Sequence, residues 1–367
     1  MPRFKTVLLL TVLFTPLPAF AQTHWLNTPI ERLMTDPPRY LCSKTTQPLV
    51  IDGKLDESAW QQATWTDDFV DIEGDAQPKP LYRTRAKMVW DENYLYVAAE
   101  IEEPHLWATY DQHDQITYHE NDFEVFIDPD DDTYQYFEIE MNAREQIFDL
   151  FLAYPYRDGG YPALIGWDAT GLKRAVVLRG TLNNGRDTDN GWTLEMAIPF
   201  YAMRTTPTPP IPKSGDWWRI NFSRVNWRTH WENGTYVKEK DTQGNLLPEY
   251  NWVWAPTGLI SIHFPERWGY VRFTDEMPTT EADWTALPQA TLVKSWLYAS
   301  YYRQHAFKAQ QGIFATTLSE LGLPSDVEIG VEHYTVQVFG TPNTFEVWLK
   351  AASGAIWRIN QSGAFAP

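Results

Sequence analysis

The sequence contains one cysteine, Cys42, in 367 residues. A single cysteine cannot form an intramolecular disulfide, so stability must come from a buried core, which a chain of this length can form. Positive charge is also scarce: 30 Lys and Arg stand against 48 Asp and Glu, for a formal net charge of −18. This acidity argues against a phosphate backbone as partner, and we predict no nucleic-acid binding.

Long apolar runs are missing as well. Nothing after the first residues approaches the ~20 consecutive apolar residues of a membrane-spanning helix, and we predict no membrane span. The short run Val7–Phe14 follows Arg3 and Lys5 and precedes the small side chains of Ala19 and Ala21. This is the pattern of a secretory signal peptide. We therefore expect residues 1–21 to be cleaved after Ala21, and the protein to be periplasmic or secreted.

Helical periodicity is almost absent before the C-terminal region. Alternating runs such as RAKMVW (85–90) and YLYVAAEI (94–101), which should form a hairpin, follow one another with turn residues between them. The pattern predicts a mainly β fold, an antiparallel β-sandwich over residues 46–275. We expect an irregular N-terminal extension over residues 22–45. Residues 283–367 predict a small α+β region of unknown role that packs on the sandwich.

The acidic segment HENDFEVFIDPDDD (119–132) contains an alternating pattern of its own. In DFEVFID, Phe123, Val125 and Ile127 fall on one face, while Glu124 and the phenylalanine after Val125 fall on the other. The segment is thus predicted to be a strand with an apolar inner face, followed by a loop. The next alternating run, YQYFEIEM (134–141), returns beside it.

Three carboxylates of these strands, Glu124, Glu138 and Glu140, allow two interpretations. A glycoside hydrolase needs two carboxyl groups about 5–10 Å apart, and cross-strand neighbours can supply such a pair. Alternating acids also form the solvated face of an ordinary sheet, which is the commoner case. We predict no catalytic residue here and keep a glycoside hydrolase that uses these sheet carboxylates as an alternative.

The loop DPDDD (128–132) offers carboxylates at alternate positions, Asp128, Asp130 and Asp132. Oxygen ligands at this spacing suit a hard cation such as calcium. The loop lacks the glycine at the sixth position of an EF-hand, so it is a different kind of site if it binds the ion. We predict a structural calcium here and expect no organic cofactor.

Aromatic residues are abundant, with 18 Trp, 19 Tyr and 18 Phe. A large sandwich uses many aromatic rings in its core, but surplus tryptophan on an exported protein also suits stacking on sugar rings. Nucleophilic triads, phosphate-binding loops and zinc motifs do not stand out, and no C-x-x-C-H haem motif is present. A haem or redox-partner domain is kept as a further alternative.

Four motifs occur together in one order: LVIDGKLDESAW (49–60), VWDENYLYVAAEIEEP (89–104), NDFEVFIDPDDD (121–132) and GWTLEMAIPF (191–200). In this order and spacing they resemble the family 9 carbohydrate-binding modules, which are DOMON-like β-sandwiches. The similarity covers roughly Thr46–Asp275. Further stretches, including YRDGG and NFSRVNW, resemble a divergent subgroup exported by bacteria that degrade polysaccharides.

The resemblance implies a non-catalytic sugar binder with structural calcium. Family members clamp the end of a glycan between two tryptophans, and polar side chains of the concave sheet contact the hydroxyls. At the first clamp position this chain has Tyr118 or His119, and at the second it has Ile262 and His263. An arginine expected after the acidic loop is replaced near Glu138. The scaffold therefore resembles the family more closely than the sugar clamp does.

We predict an exported protein that binds a plant-type or other polysaccharide or oligosaccharide in carbohydrate catabolism, beside glycoside hydrolases of the same pathway. Sugar recognition needs flat aromatic surface and fixed hydrogen-bonding groups. The residues predicted to contact sugar are Tyr118, His119, Arg219, Asn221, Arg224, Trp227, Trp252 and Trp254. Arg224 ranks second among these because it falls on the apolar face of its strand.

Overall fold

The computed structural model of the protein describes residues 24–276 and 282–367. The predicted signal peptide lies outside the described residues. The strands before the C-terminal region are β1 Arg39–Lys44, β2 Val70–Asp71, β3 Thr84–Trp90, β4 Tyr94–Ile101, β5 Asp122–Asp128, β6 Tyr136–Asn142, β7 Ile147–Leu152, β8 Ala163–Leu164, β9 Lys173–Leu178, β10 Trp192–Pro199, β11 Trp217–Asn226, β12 Thr229–Glu232, β13 Thr235–Lys238, β14 Tyr250–Val253 and β15 Gly269–Thr274.

Thirteen of these strands form one curled sheet that folds over its own core, so the predicted sandwich is confirmed. Eleven strands follow the order β8-β7-β6-β5-β11-β15-β1-β3-β4-β10-β9, and β14 and β2 extend it beside β11. Strands β12 and β13 form a separate hairpin. The predicted hairpin of β3 and β4 is present, with Met88 opposite Val97. Phe123 and Val125 of β5 and Leu194 of β10 share the core between the two halves.

Strand β1 departs from the antiparallel pattern. It pairs in parallel with both β15 and β3, whereas every other strand pair among the described residues is antiparallel. The expectation that the N-terminal extension is irregular was therefore wrong for Arg39–Lys44. Tyr40 and Cys42 of this strand are buried in the core. The Tyr40 hydroxyl donates a hydrogen bond to the carbonyl oxygen of Thr64 at 2.7 Å, which ties the strand to the following loop.

The C-terminal region is an α+β unit, as the sequence predicts. Its long helix, Gln289–Gln311, ends at Gly312, whose positive φ of 80° suits glycine. Five strands form an antiparallel meander beside this helix: β16 Asp326–Ile329, β17 Glu332–Gly340, β18 Phe345–Ala351, β19 Ile356–Asn360 and β20 Phe365–Ala366. The short helical segments among the described residues are His24–Asn27, Ile30–Leu33, Ser58–Gln62, Gly74–Ala76, Thr117–His119, Tyr156–Asp158, Pro265–Arg267, Ala282–Thr285 and Leu318–Leu321.

The N-terminal segment and the sandwich both contact the C-terminal region. Trp25 stacks on Tyr301 of the long helix, with ring centroids 6.0 Å apart and planes 4° apart. A buried ion pair joins Arg157 to Glu266 at 2.8 Å, and Tyr302 of the long helix donates a hydrogen bond to Glu266. These contacts hold the helix against the sandwich. None of the helices among the described residues has the length and apolar character needed to cross a bilayer.

Candidate functional site

The outer face of β5, β6 and β11 carries a row of polar side chains. Ser223 of β11 lies opposite Glu124 of β5, and Glu124 lies opposite Glu140 of β6. Asp122 lies two residues before Glu124 in β5, and Glu138 lies two residues before Glu140 in β6, so all four side chains share one face. We call Asp122, Glu124, Glu138 and Glu140 the carboxylate cluster. Strand pairing alone brings these four residues together, because side chains of one parity share a face.

The carboxylate cluster is buried. Asp122 and Glu140 are each 1 % exposed, and Glu124 and Glu138 are each 5 % exposed. The interpretation of this face as a solvated sheet surface was therefore wrong. The covering residues come from outside these strands. One of them is Tyr156, in the segment after β7: burial first, and then the nearby carboxyl group of Glu138, raise the pKa of its hydroxyl.

Burial and mutual repulsion dominate the electrostatics of this face. Burial raises the pKa of Glu124 and Glu138 well above the ordinary value, and the neighbouring Glu140 raises both further. Burial also raises the pKa of Glu140 to about 7, although hydrogen bonds from Thr117 and from the backbone of Tyr118 oppose the rise. Negative charge in the cluster is costly and must be offset.

The segment Thr117–His119 lies over the cluster and is fixed to it. The Thr117 hydroxyl donates to Glu140 Oε2 at 2.8 Å, and the Tyr118 backbone N–H donates to the same oxygen at 3.1 Å. The rings of Tyr118 and His119 meet edge to face, with centroids 4.7 Å apart. Tyr118 is half-buried and His119 is exposed. An aromatic pair is thereby held at the surface above buried carboxylates.

Trp227 joins this aromatic pair from the end of β11. Its indole N–H donates to the backbone oxygen of Tyr118 at 2.9 Å, and the ring is half-buried. Lys238 places its ammonium 3.2 Å from the ring centroid of Trp227. Three predicted sugar contacts, Tyr118, His119 and Trp227, are thus brought together by the structure.

The comparisons with known proteins bear on this face. Residues 51–217 match the family model described as carbohydrate family 9 binding domain-like. This part of the chain, somewhat under half of it, is similar to a family 9-like carbohydrate-binding domain. The matched residues include β5, β6 and the segment over them, while Trp227 lies beyond the match.

One curated relative and two solved structures are similar to parts of this chain. Endo-1,4-beta-xylanase C of Paenibacillus barcinonensis is 30 % identical over 157 residues, which are 42 % of this chain and 12 % of the xylanase. A family 9 carbohydrate-binding module of Caldicellulosiruptor kristjanssonii in complex with glucose is 16 % identical, with 66 % of this chain and 99 % of that chain covered and a TM-score of 0.41. The complex with cellotriose covers 68 % and 98 %, at 16 % identity and a TM-score of 0.40.

Two predicted sugar contacts, Arg219 and Asn221, have a structural role instead. Arg219 donates to Asp131 and to the backbone oxygen of Trp268, both at 2.7 Å, and its guanidinium lies 3.5 Å from the ring centroid of Tyr270. The Asn221 side chain exchanges hydrogen bonds with the backbone of Ala255, both at 2.9 Å. Both side chains are buried with their polar atoms engaged, so the structure argues against a sugar contact for either.

Arg224 points to the inner face, as its position in β11 predicts. It donates to Glu103 at 2.7 Å and to Thr84 at 3.0 Å, and both partners are buried. The guanidinium also lies 5.1 Å from the ring centroid of Trp252. A buried pair of this kind is a structural contact, since ligand would have to break it to reach the arginine.

Trp252 and Trp254 lie in the sandwich core. They are 2 % and 3 % exposed, and both belong to the cluster of apolar side chains between the two halves of the sheet. Trp254 packs against Tyr40 and Phe222 at centroid distances of 6.3 and 5.9 Å. The prediction that these two rings stack on sugar is contradicted by their burial, because a stacking ring must offer one face to the ligand.

The acidic loop after β5 brings Asp128, Asp130 and Asp132 together, with one oxygen of each within 4.8 Å of the others. Asp128 is buried, and the Thr133 backbone N–H donates to its Oδ2 at 2.9 Å. Asp131 pairs with Arg219 at 2.7 Å. The predicted residues therefore converge, and Asp131 between them has a separate structural role that the structure shows.

The sequence missed Asp122, Tyr156 and Lys238 as members of this region. Asp122 shares the parity of Glu124, so the alternation contained the signal. Tyr156 and Lys238 come from loops and hairpins whose position depends on tertiary packing, and no local pattern reveals them. Tyr156 also contacts His263, with ring centroids 4.5 Å apart. The second position of the implied sugar clamp thus lies beside a ring that borders the carboxylate cluster.

Proposed function

We propose that the protein binds carbohydrate at the surface formed by Tyr118, His119 and Trp227 over the carboxylate cluster. The observation that carries the proposal is the half-buried Tyr118, whose backbone is fixed to Glu140 and whose carbonyl is fixed to Trp227. A sugar ring binds through its apolar face to a rigid aromatic ring, while its hydroxyls need polar groups nearby. The family 9-like match over residues 51–217 supports carbohydrate as the ligand class.

We further propose that the protein is exported and serves polysaccharide use beside glycoside hydrolases. The charged and apolar pattern of residues 3–14, followed by small residues before position 22, supports export. The partial similarity to an endo-1,4-beta-xylanase supports a plant polysaccharide as the source of the ligand. Cello-oligosaccharides and xylo-oligosaccharides are accordingly the first ligands to test.

Replacing Tyr118 with alanine should weaken glycan binding about five- to hundredfold. The physical reason is the loss of a stacked ring at a binding surface, which costs on the order of 1–3 kcal/mol. The thermal midpoint should change little, because the ring is only half-buried. Isothermal titration with cellotriose and xylotriose, after a glycan-array screen, measures the affinity.

Tyr201 provides a matched control, because it is an exposed tyrosine on a loop after β10. Tyr201→Ala should bind glycan like the parent protein. Equal affinity of Tyr118→Ala and the parent would place the binding site elsewhere on the domain. Release of reducing sugar that is lost in Glu138→Gln would contradict a non-catalytic binder and favour the glycoside hydrolase.

We also propose that the acidic loop binds calcium through Asp128, Asp130 and Asp132. The spacing of the loop oxygens fits a calcium ion. Two oxygen ligands on opposite sides of the ion lie about 4.8 Å apart, and the three loop oxygens lie within 4.8 Å of one another. Burial, and then the neighbouring aspartates, raise the pKa of Asp128. The ion would supply positive charge to this loop. It would thereby fix the turn after β5.

Calcium should raise the thermal midpoint of the protein, and Asp130→Asn should reduce this gain. An ion that binds only the folded state stabilises it by about 2.7 kcal/mol at a hundred times its Kd. Differential scanning calorimetry in calcium and in chelator measures the gain. Asp67→Asn, at an exposed position away from the loop, serves as the control and should keep the whole gain. Identical melting of the parent in calcium and chelator would contradict the proposal.

A further inference from the structure

The carboxylate cluster contains the geometry of a second cation site, separate from the acidic loop. One oxygen each of Asp122, Glu124 and Glu140 lies within 4.8 Å of the other two. We propose that these three residues bind a divalent cation of the calcium type, with Glu138 as a further oxygen donor. The inference goes beyond the proposed carbohydrate binding and holds without it.

Unsatisfied oxygens are the second observation. Neither side-chain oxygen of Asp122 has a hydrogen-bond partner of good geometry, and Oε2 of Glu138 has none either. Both side chains are more than nine-tenths buried. Buried polar atoms are ordinarily paired, and an unpaired buried carboxylate is among the costliest of them. A cation among these oxygens would satisfy them together.

Protein cations do not fill this role. Among the described residues, no Lys or Arg forms an ion pair with Asp122, Glu124, Glu138 or Glu140, and the nearby cations pair with other acids. The two arginines of the neighbouring strand β11 are engaged elsewhere. Arg219 pairs with Asp131, and Arg224 pairs with Glu103 on the opposite face. The compensating charge must therefore come from bound protons or from an ion.

The ligand chemistry favours an ion of the calcium type over softer metals. All the donors are carboxylate oxygens, and the Thr117 hydroxyl lies 2.8 Å from Glu140 Oε2 at the same place. Calcium accepts six to eight oxygen ligands at about 2.3–2.6 Å, whereas zinc prefers nitrogen and sulfur. Opposite oxygens around calcium are about 4.8 Å apart, which the cluster allows. Magnesium needs a tighter octahedron and should bind more weakly.

The test uses the full chain with the acidic loop disabled by Asp130→Asn. Metal-free protein is titrated with calcium chloride and with magnesium chloride by isothermal titration, and thermal midpoints are measured alongside. We expect this variant to retain one calcium per chain that depends on the cluster. Adding Glu124→Gln, or Asp122→Asn in its place, should weaken that binding tenfold or more.

Two features keep the test decisive. Each substitution removes a carboxylate from a crowded group, so the metal-free variants should be no less stable than metal-free parent, and lost binding is then not lost folding. The group His113, Asp114, Asp149 and Asp168 offers another set of ligand atoms within 4.8 Å, so Asp168→Asn is the matched control and should leave the binding unchanged.

Three outcomes would overturn the inference. The first is that Asp130→Asn binds no calcium, in which case bound protons neutralise the cluster. The second is that binding persists at full strength in both Glu124→Gln and Asp122→Asn. The third is that Asp168→Asn removes the binding, which would assign the ion to the exposed group around His113.

Discussion

Replacing Glu266 with glutamine is expected to lower the free energy of unfolding by about 3–5 kcal/mol. Glu266 and Arg157 form an ion pair at 2.8 Å, and both side chains are 2 % exposed. Nε and one terminal nitrogen of Arg157 have no hydrogen-bond partner, so the guanidinium depends on this carboxylate. The substitution removes the paired carboxylate of a buried guanidinium, which is costlier than losing the pair as a whole.

Urea unfolding followed by tryptophan fluorescence measures the change. The double variant Arg157→Met/Glu266→Leu should recover most of the lost stability, since apolar replacement of both partners removes the unpaired charge. The exposed pair of Lys54 and Asp52 is the control, and Asp52→Asn should unfold almost like the parent. Unchanged unfolding of Glu266→Gln would show that water or another group reaches Arg157.

Replacing Trp254 with alanine should also cost about 3–5 kcal/mol, because it leaves a cavity in the core of the sandwich. The ring packs directly against Gly269, where a Cβ atom would lie only 2.4 Å from the Trp254 side chain. Glycan affinity of the folded variant should equal that of the parent. The pattern is the reverse of the one expected for Tyr118→Ala, whose affinity falls at nearly constant stability.

Chemical unfolding and glycan titration of the same preparation separate the two effects. Trp254→Phe is the graded control, because a smaller ring fills part of the space and should lose less stability. A Trp254→Ala protein that melts like the parent but binds glycan weakly would restore the tryptophan as a sugar contact. The ring would then have to become exposed when glycan binds.

The sequence predicted which residues share a face better than it predicted what covers that face. Period-two alternation in β5 was enough to place Phe123 and Val125 inside and Glu124 outside, because a strand allows only two directions for a side chain. The covering of the acids on this face involves Tyr118 and Tyr156, which come from separate segments of the chain. No local pattern contains that information, so the acids were interpreted as solvated.

The same limit explains the misplaced tryptophans. Trp252 lies on the short strand β14, which pairs with β11 at the edge of the main path of the sheet. A large aromatic ring in such a segment suits either the core or a binding surface, and composition does not distinguish them. Strand β1 was missed for a related reason, since its partners β15 and β3 are far from it along the chain.

The contact of Trp25 with Tyr301 has a consequence for how the molecule folds. Trp25 lies near the start of the described chain and Tyr301 in its last fifth, so the contact closes a long loop. Such contacts form late, because the entropy of the intervening chain is lost before they stabilise anything. The packing of the N-terminal segment on the long helix should therefore form late in folding. Proteolytic cleavage after residue 276 would give two fragments with complementary apolar surfaces. Mixing the separated fragments and measuring their reassociation would be a fragment-complementation experiment.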